Sequence, residues 1–148
     1  LLDTNLLGTV RVSSAFVEHL KQQPDAVLIN NSSILAFLPL VTNALYSATK
    51  AAIHSYTLSQ RFLLRDAGVN VIEISPPWVD TDLIYKSGDS RAMPVADFIQ
   101  QTFDKLATDS IEVIVDSVLP ARANPGVNEH EMVNAFNQSM VDNPIPVA

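Results

Sequence analysis

Ala26-Val27-Leu28-Ile29, then Ala44-Leu45-Tyr46-Ser47-Ala48-Thr49-Lys50-Ala51-Ala52-Ile53, then Val69-Asn70-Val71-Ile72-Glu73-Ile74: the spacing of these three runs decides the fold. The first and last are short, apolar and largely β-branched, the pattern of buried strands. Between them, Asn43 or Ala44 to Ala67 reads as one helix, with Gly68 placed where a left-handed cap would stop it. Strand, crossover helix and strand together predict a parallel pair.

Working outward, Leu6, Val10, Phe16, Val17 and Leu20 recur at helical spacing from Leu2 to Leu20, and Pro24 marks that helix's end. Downstream, Ser75 to Ala92 has no sustained periodicity and reads as a long loop. Pro94 suits the first turn of a third helix, striped by Val95, Phe98, Ile99, Thr102, Phe103 and Leu106. Ile111 to Val118 reads as a third strand, and Glu129 to Met140 as a short helix in a proline-rich tail. The alternation predicts an α/β fold: a doubly wound parallel sheet with both faces covered. Such sheets bind ligands beyond the carboxyl ends of their strands, here just after Ile29, Ile74 and Val118.

Composition narrows the function. Across 148 residues the formal net charge is −7 and no Lys/Arg cluster appears, which argues against a nucleic-acid partner. Without cysteine there is no disulfide framework and no thiolate metal site, a composition that fits a reducing cytoplasmic setting. The longest apolar run, Ile34 to Val41, is broken by Pro39 and falls short of the ~18 residues a membrane helix needs. His19, His54 and His130 share no ligand spacing, so no metal is expected and they read as solvated. Asp80 and Asp82 read as turn residues. Trp78 fits either a pocket wall or packing under the loop.

The chemistry concentrates on α/β edges. Tyr46 and Lys50 lie four apart, so their side chains rise from one helix face. A phenol of pKa ~10 is a poor acid or base at neutral pH, and a nearby ammonium would lower that value. The spacing alone also fits a half-buried aromatic beside a solvated lysine. Ser33, just past the first strand and thirteen residues before Tyr46, adds a hydroxyl at the expected ligand edge.

With Asn5 in Thr4-Asn5-Leu6-Leu7-Gly8, twenty-eight residues before Ser33, the set resembles the Asn, Ser, Tyr and Lys tetrad of short-chain dehydrogenase/reductases. Pro76-Pro77-Trp78-Val79-Asp80-Thr81-Asp82 is similar to that family's Pro-Gly-Trp-Val-x-Thr segment. The resemblance runs from Leu1 to about Leu83 and more loosely to the end. It implies a Rossmann-type fold and an NADP- or NAD-dependent oxidoreductase acting on a small carbonyl or alcohol, as a carbonyl reductase does. It implies that Tyr46 exchanges a proton with the substrate oxygen, that Lys50 lowers the Tyr46 pKa and holds the nicotinamide ribose, and that Ser33 holds the substrate oxygen. Asn5 would hold a water continuing a proton path from Lys50, with Pro76, Val79 and Thr81 beside the nicotinamide.

Pro77 departs from the family's Gly; it has no N–H and a fixed φ. The family's glycine-rich turn cannot be built from Gly8, Gly68, Gly88 and Gly126. Residues 1–148 therefore read as the C-terminal, catalytic part of a single Rossmann-type domain, a partial sheet without the N-terminal cofactor-binding half. The small residues Ala48, Ala51, Ala52, Ser55 and Ser59 permit close helix approach. The resemblance implies a homo-oligomer joined through helices 2–20 and 44–67. A rival reading is a non-catalytic dimerisation or interaction module derived from such an enzyme.

Overall fold

The computed structural model describes residues 1–83 and 88–146. The middle of the loop read over residues 75–92 lies outside the described residues. Three parallel strands, β1 (Ala26–Asn31), β2 (Val69–Ile74) and β3 (Glu112–Val113), form one sheet in the order β1-β2-β3. Helix α1 (Gly8–Leu20) precedes β1, α2 (Ala44–Leu63) crosses from β1 to β2, and α3 (Val95–Leu106) crosses from β2 to β3. A short α4 (Leu119–Arg122) and α5 (Glu129–Asp142) follow. The chain is thus α/β with a parallel sheet and crossover helices, as its alternation predicted.

Ala26 faces Val69 and Asn31 faces Ile74 along the β1–β2 register. In-register parallel partners point to the same side, so Ala26, Leu28 and Asn30 share a face with Val69, Val71 and Glu73. Helix α2 lies on that face and buries Ile53, Thr57 and Gln60 there. Ile53 is almost fully buried, which contributes about 1.5–3 kcal/mol. Arg61 ties the same helix to the sheet by donating Nε to the Val71 carbonyl and Nη2 to the Ile111 carbonyl, each at 3.0 Å. The opposite face is the more open one, as expected of a partial sheet. Val27 and Ile29 remain 44% and 45% exposed, too much for a face closed by helices.

Several boundaries differ from the sequence expectation, three of them for reasons the structure shows. The third strand, expected over Ile111 to Val118, is only Glu112–Val113. Its ladder runs from Glu73 N–H to Ile111 O and from Ser75 N–H to Val113 O, both 3.0 Å. The next donor in that series would be residue 77, a proline with no N–H, so pairing stops. Ile114 and Val115 stay buried all the same, held by packing rather than by a ladder. Helix α2 ends at Leu63 rather than Ala67, and Gly68, at φ 72°, makes the turn into β2. The first helix begins as a π-helical segment, Leu2–Leu7, before regular turns start at Gly8. No helix among the described residues is long and apolar enough to cross a membrane.

Buried Asn30 donates Nδ2 to both Thr57 Oγ1 and Gln60 Oε1, each at 2.9 Å. These are the polar bolts between β1 and α2. Asn30→Ala leaves both partners buried without that donor and is expected to cost about 1–3 kcal/mol, read as a lower urea midpoint with an unchanged m-value.

Candidate active site

The β1–β2 ladder continues past both strands. Ser32 N–H donates to Ile74 O and Ile34 N–H donates to Pro76 O, each at 2.9 Å. Ser33 sits between these rungs in extended conformation, and its Oγ accepts from Leu35 N–H at 3.1 Å as it caps the 3-10 turn Ile34–Ala36. Rungs and cap fix the serine backbone at the carboxyl edge of the sheet.

Tyr46 lies in the first turn of α2, near enough to Ser33 for the serine side chain to act on its acidity. Lys50, one turn later, donates Nζ to the Asn31 carbonyl at 3.0 Å, with that nitrogen 5.6 Å from the Tyr46 ring centre. Three of the four residues expected from sequence therefore gather where β1 ends. Asn5 reaches α2 elsewhere: Nδ2 donates to Thr49 Oγ1 at 3.1 Å, and Thr49 Oγ1 donates to Tyr46 O at 2.7 Å. Its own carbonyl, within the π-helical segment, accepts from Thr9 Oγ1 at 2.7 Å. Asn5 thus touches the residue beside Lys50.

Burial raises the Tyr46 pKa above the ordinary phenol value, and the Ser33 side chain acts in the opposite, lowering sense. Burial also lowers the Lys50 pKa. Lys50 is expected to lower the Tyr46 pKa; in this structure the largest influence is burial, which raises it. The ammonium stands off the ring and is directed at a backbone carbonyl, so Ser33 is the group that favours the phenolate here.

The loop after β2 is folded back on itself. Met93 N–H donates to Trp78 O at 2.8 Å, Asp80 N–H donates to Met93 O at 2.9 Å, and Val79 bridges Met93. Thr81 Oγ1 accepts from Leu83 N–H at 3.4 Å. Pro76 therefore lies directly beside the serine turn, while Val79 and Thr81 lie on a two-limbed extension beyond it. Arg91 anchors the returning limb: it pairs with Asp89 at 2.8 Å and donates to the carbonyls of Asn143 at 2.5 Å and Pro144 at 3.1 Å. That guanidinium holds the Asp89 pKa down to about 2. The buried Trp78 Nε1 has no hydrogen-bond partner among the described residues.

A second polar group escaped the sequence reading. Glu73 is fully buried, and Ser32 Oγ donates to its Oε1 at 2.5 Å while His54 Nδ1 meets its Oε2 at 2.8 Å. Ser75 Oγ lies 2.8 Å from Ser32 Oγ. His54 is therefore not the solvated residue expected: it lies one turn beyond Lys50 on the inward face of α2 and packs edge-on against Phe37 at 4.7 Å. Glu112, opposite Glu73, accepts from Arg122 Nε at 2.8 Å. Atoms of His54, Glu73 and Glu112 come within 4.8 Å of one another, with the Arg122 cation bound to the outer carboxylate. The signal was present in sequence: Val69, Val71, Glu73 is a period-2 inward row ending on a carboxylate.

Comparison with known proteins fits this architecture. The family model described as short chain dehydrogenase matches residues 1–92, more than half of the chain. The chain belongs to the short-chain dehydrogenase family. The uncharacterized oxidoreductase DltE of Bacillus subtilis is 38% identical over 122 residues, which cover 79% of this chain and 48% of that protein. An uncharacterized oxidoreductase of Staphylococcus epidermidis is 43% identical over 83 residues, covering 56% of this chain and 36% of its own. The chain thus spans about half or less of the curated relatives it matches. Among solved structures, a short chain dehydrogenase from Burkholderia cenocepacia in complex with NADP superposes with a TM-score of 0.72 at 24% identity. That match covers 98% of this chain and 59% of the other. One from Sphingobium yanoikuyae in complex with NADPH gives 0.73 at 16% identity, over 100% and 57%. At such identities the likeness shows the fold.

The opposing influences on Tyr46 make a sign prediction. Followed by phenolate absorbance against a Tyr46→Phe control, Tyr46 should ionise above the usual ~10, and Ser33→Ala should move its titration further upward. A downward shift in Ser33→Ala would contradict the geometry.

Proposed function

We propose that this chain is the catalytic part of an NAD(P)-dependent oxidoreductase that interconverts a small carbonyl compound and its alcohol. One observation carries the reading: Ser33 and Tyr46, from different elements, come together at the carboxyl edge of a parallel sheet, with Lys50 one turn behind and bonded to the end of β1. Two adjacent hydroxyls at that edge suit a single substrate oxygen. Ser33 would hold it, and Tyr46 would donate its proton during reduction or accept the alcohol proton during oxidation. The high pKa favours the donor form in reduction.

The donor set also fits a nicotinamide nucleotide. An ammonium carries three N–H groups; Lys50 gives one to Asn31 O and keeps two for ribose hydroxyls, beside the Tyr46 hydroxyl. Pro76, Val79 and Thr81 lie on the loop that would flank the nicotinamide. The nucleotide would supply or accept the hydride; the protein supplies position, proton and charge. Complexes of fold relatives with NADP and NADPH support this choice of cofactor class.

Association through α1 and α2 belongs to the same proposal. Val12 and Phe16 on α1, and Leu58, Phe62 and Leu63 on α2, are apolar and about half or more exposed, more than isolated surface residues require. A second copy of the chain would cover them.

In the complete gene product, Tyr46→Phe should reduce turnover by well over tenfold, beyond ~1.4 kcal/mol of transition-state stabilisation, while nucleotide affinity changes little. A Phe variant retaining more than a tenth of the rate sinks the acid–base role. For association, Leu58→Glu should shift light scattering toward monomer with the circular dichroism unchanged; an unaltered oligomer would place the interface elsewhere.

A further inference from the structure

Glu73 has no part in the chemistry proposed above, yet an ionisable side chain with 0% exposure is costly to desolvate unless its bonds compensate. The other inward positions of β2 hold valine, at 69 and 71, so an apolar residue would suit the packing. Its contacts join three different elements, and each leads to the site. Ser32 is the residue before Ser33. His54 follows Lys50 by one turn of α2. Ser75, which hydrogen-bonds Ser32, is the residue before Pro76.

We propose that Glu73 is the positioning residue of this site, setting Ser33 through Ser32 and the Tyr46–Lys50 turn of α2 through His54. The two oxygens of a carboxylate are a fixed distance apart. One is bonded to the edge of β1 and the other to α2, so the group gauges the separation of the two elements whose hydroxyls must meet. Hydrogen bonds are directional, which suits that use. Ser75 Oγ lies 2.8 Å from Ser32 Oγ and 3.4 Å from Glu73 Oε1, so both serines converge on the same carboxylate oxygen. The other charged groups near Glu73 are Glu112 on β3 and Arg122 on α4, which pair with each other. Near Tyr46 the charged neighbour is Lys50 on its own helix.

Only the kinetic consequence rests on the oxidoreductase reading; the geometric one does not. Glu73→Gln keeps the shape but replaces one carboxylate oxygen by an NH2 group, so the two positions that meet Ser32 and His54 are no longer equivalent and one arm is weakened. Ser32→Ala removes the β1 arm alone. In both variants Ser33 should draw away from Tyr46, so the Tyr46 phenolate titration, read by absorbance against Tyr46→Phe, moves upward as in Ser33→Ala. Ser32→Thr, which restores the hydroxyl, should return it. In the complete gene product Glu73→Gln should also lower kcat about tenfold or more, with the nucleotide KM changed less than about threefold. Should Glu73→Gln fail to fold, Ser32→Ala decides alone. A Tyr46 titration unmoved in folded Ser32→Ala overturns the proposal and leaves Glu73 a stabilising residue. Loss of the oxidoreductase reading would show separately, as a Tyr46→Phe protein that keeps its turnover.

Discussion

The site depends on the β1–β2 ladder running two rungs beyond its strands. Once Ser32 and Ile34 donate to Ile74 and Pro76, the backbone around Ser33 is no longer a free loop but an extension of the sheet. That places a serine hydroxyl at a defined height above the sheet edge. Helix α2, pinned to the same strands by Asn30 and Arg61, brings its first turn to that height from the other side. The Tyr46–Ser33 contact is then a consequence of sheet register, because neither side chain could find the other if either element slid by one residue.

Much of this was legible in sequence because it rests on local rules. Period and length give β1, α2 and β2, and i, i+4 spacing gives the shared face of Tyr46 and Lys50. What escaped was cooperative between elements. The end of β3 depends on a proline just past the end of the neighbouring strand, thirty-eight residues upstream of Val115, and no property of Ile111 to Val118 announces it. His54 looked solvated because a histidine's environment depends on what faces it across a helix–sheet interface, and its partner is on β2. The acidity of Tyr46 reversed for a similar reason. Sequence spacing puts Lys50 on the right face, but burial and the direction of Nζ decide which influence wins.

Polar groups are concentrated along the inner seam of this small sheet. Asn30 with Thr57 and Gln60, and Glu73 with Ser32 and His54, lie between α2 and the strands where aliphatic packing would be simpler. Aliphatic contacts tolerate sliding; directional bonds do not. The cost in burial is offset by a single registration of helix against sheet, which is what a site assembled from separate elements requires.

Trp78 is the only tryptophan in the chain. It stands on the loop limb that pairs with Met93, with the Arg91 guanidinium 5.6 Å from its ring and its Nε1 buried. Indole emission responds to neighbouring charge and solvent, so the molecule's entire tryptophan fluorescence originates at the rim of the candidate site. Opening of that limb, release of the tail that Arg91 holds, or arrival of a light-absorbing nicotinamide ring nearby would each change one optical signal, without any label attached to the protein.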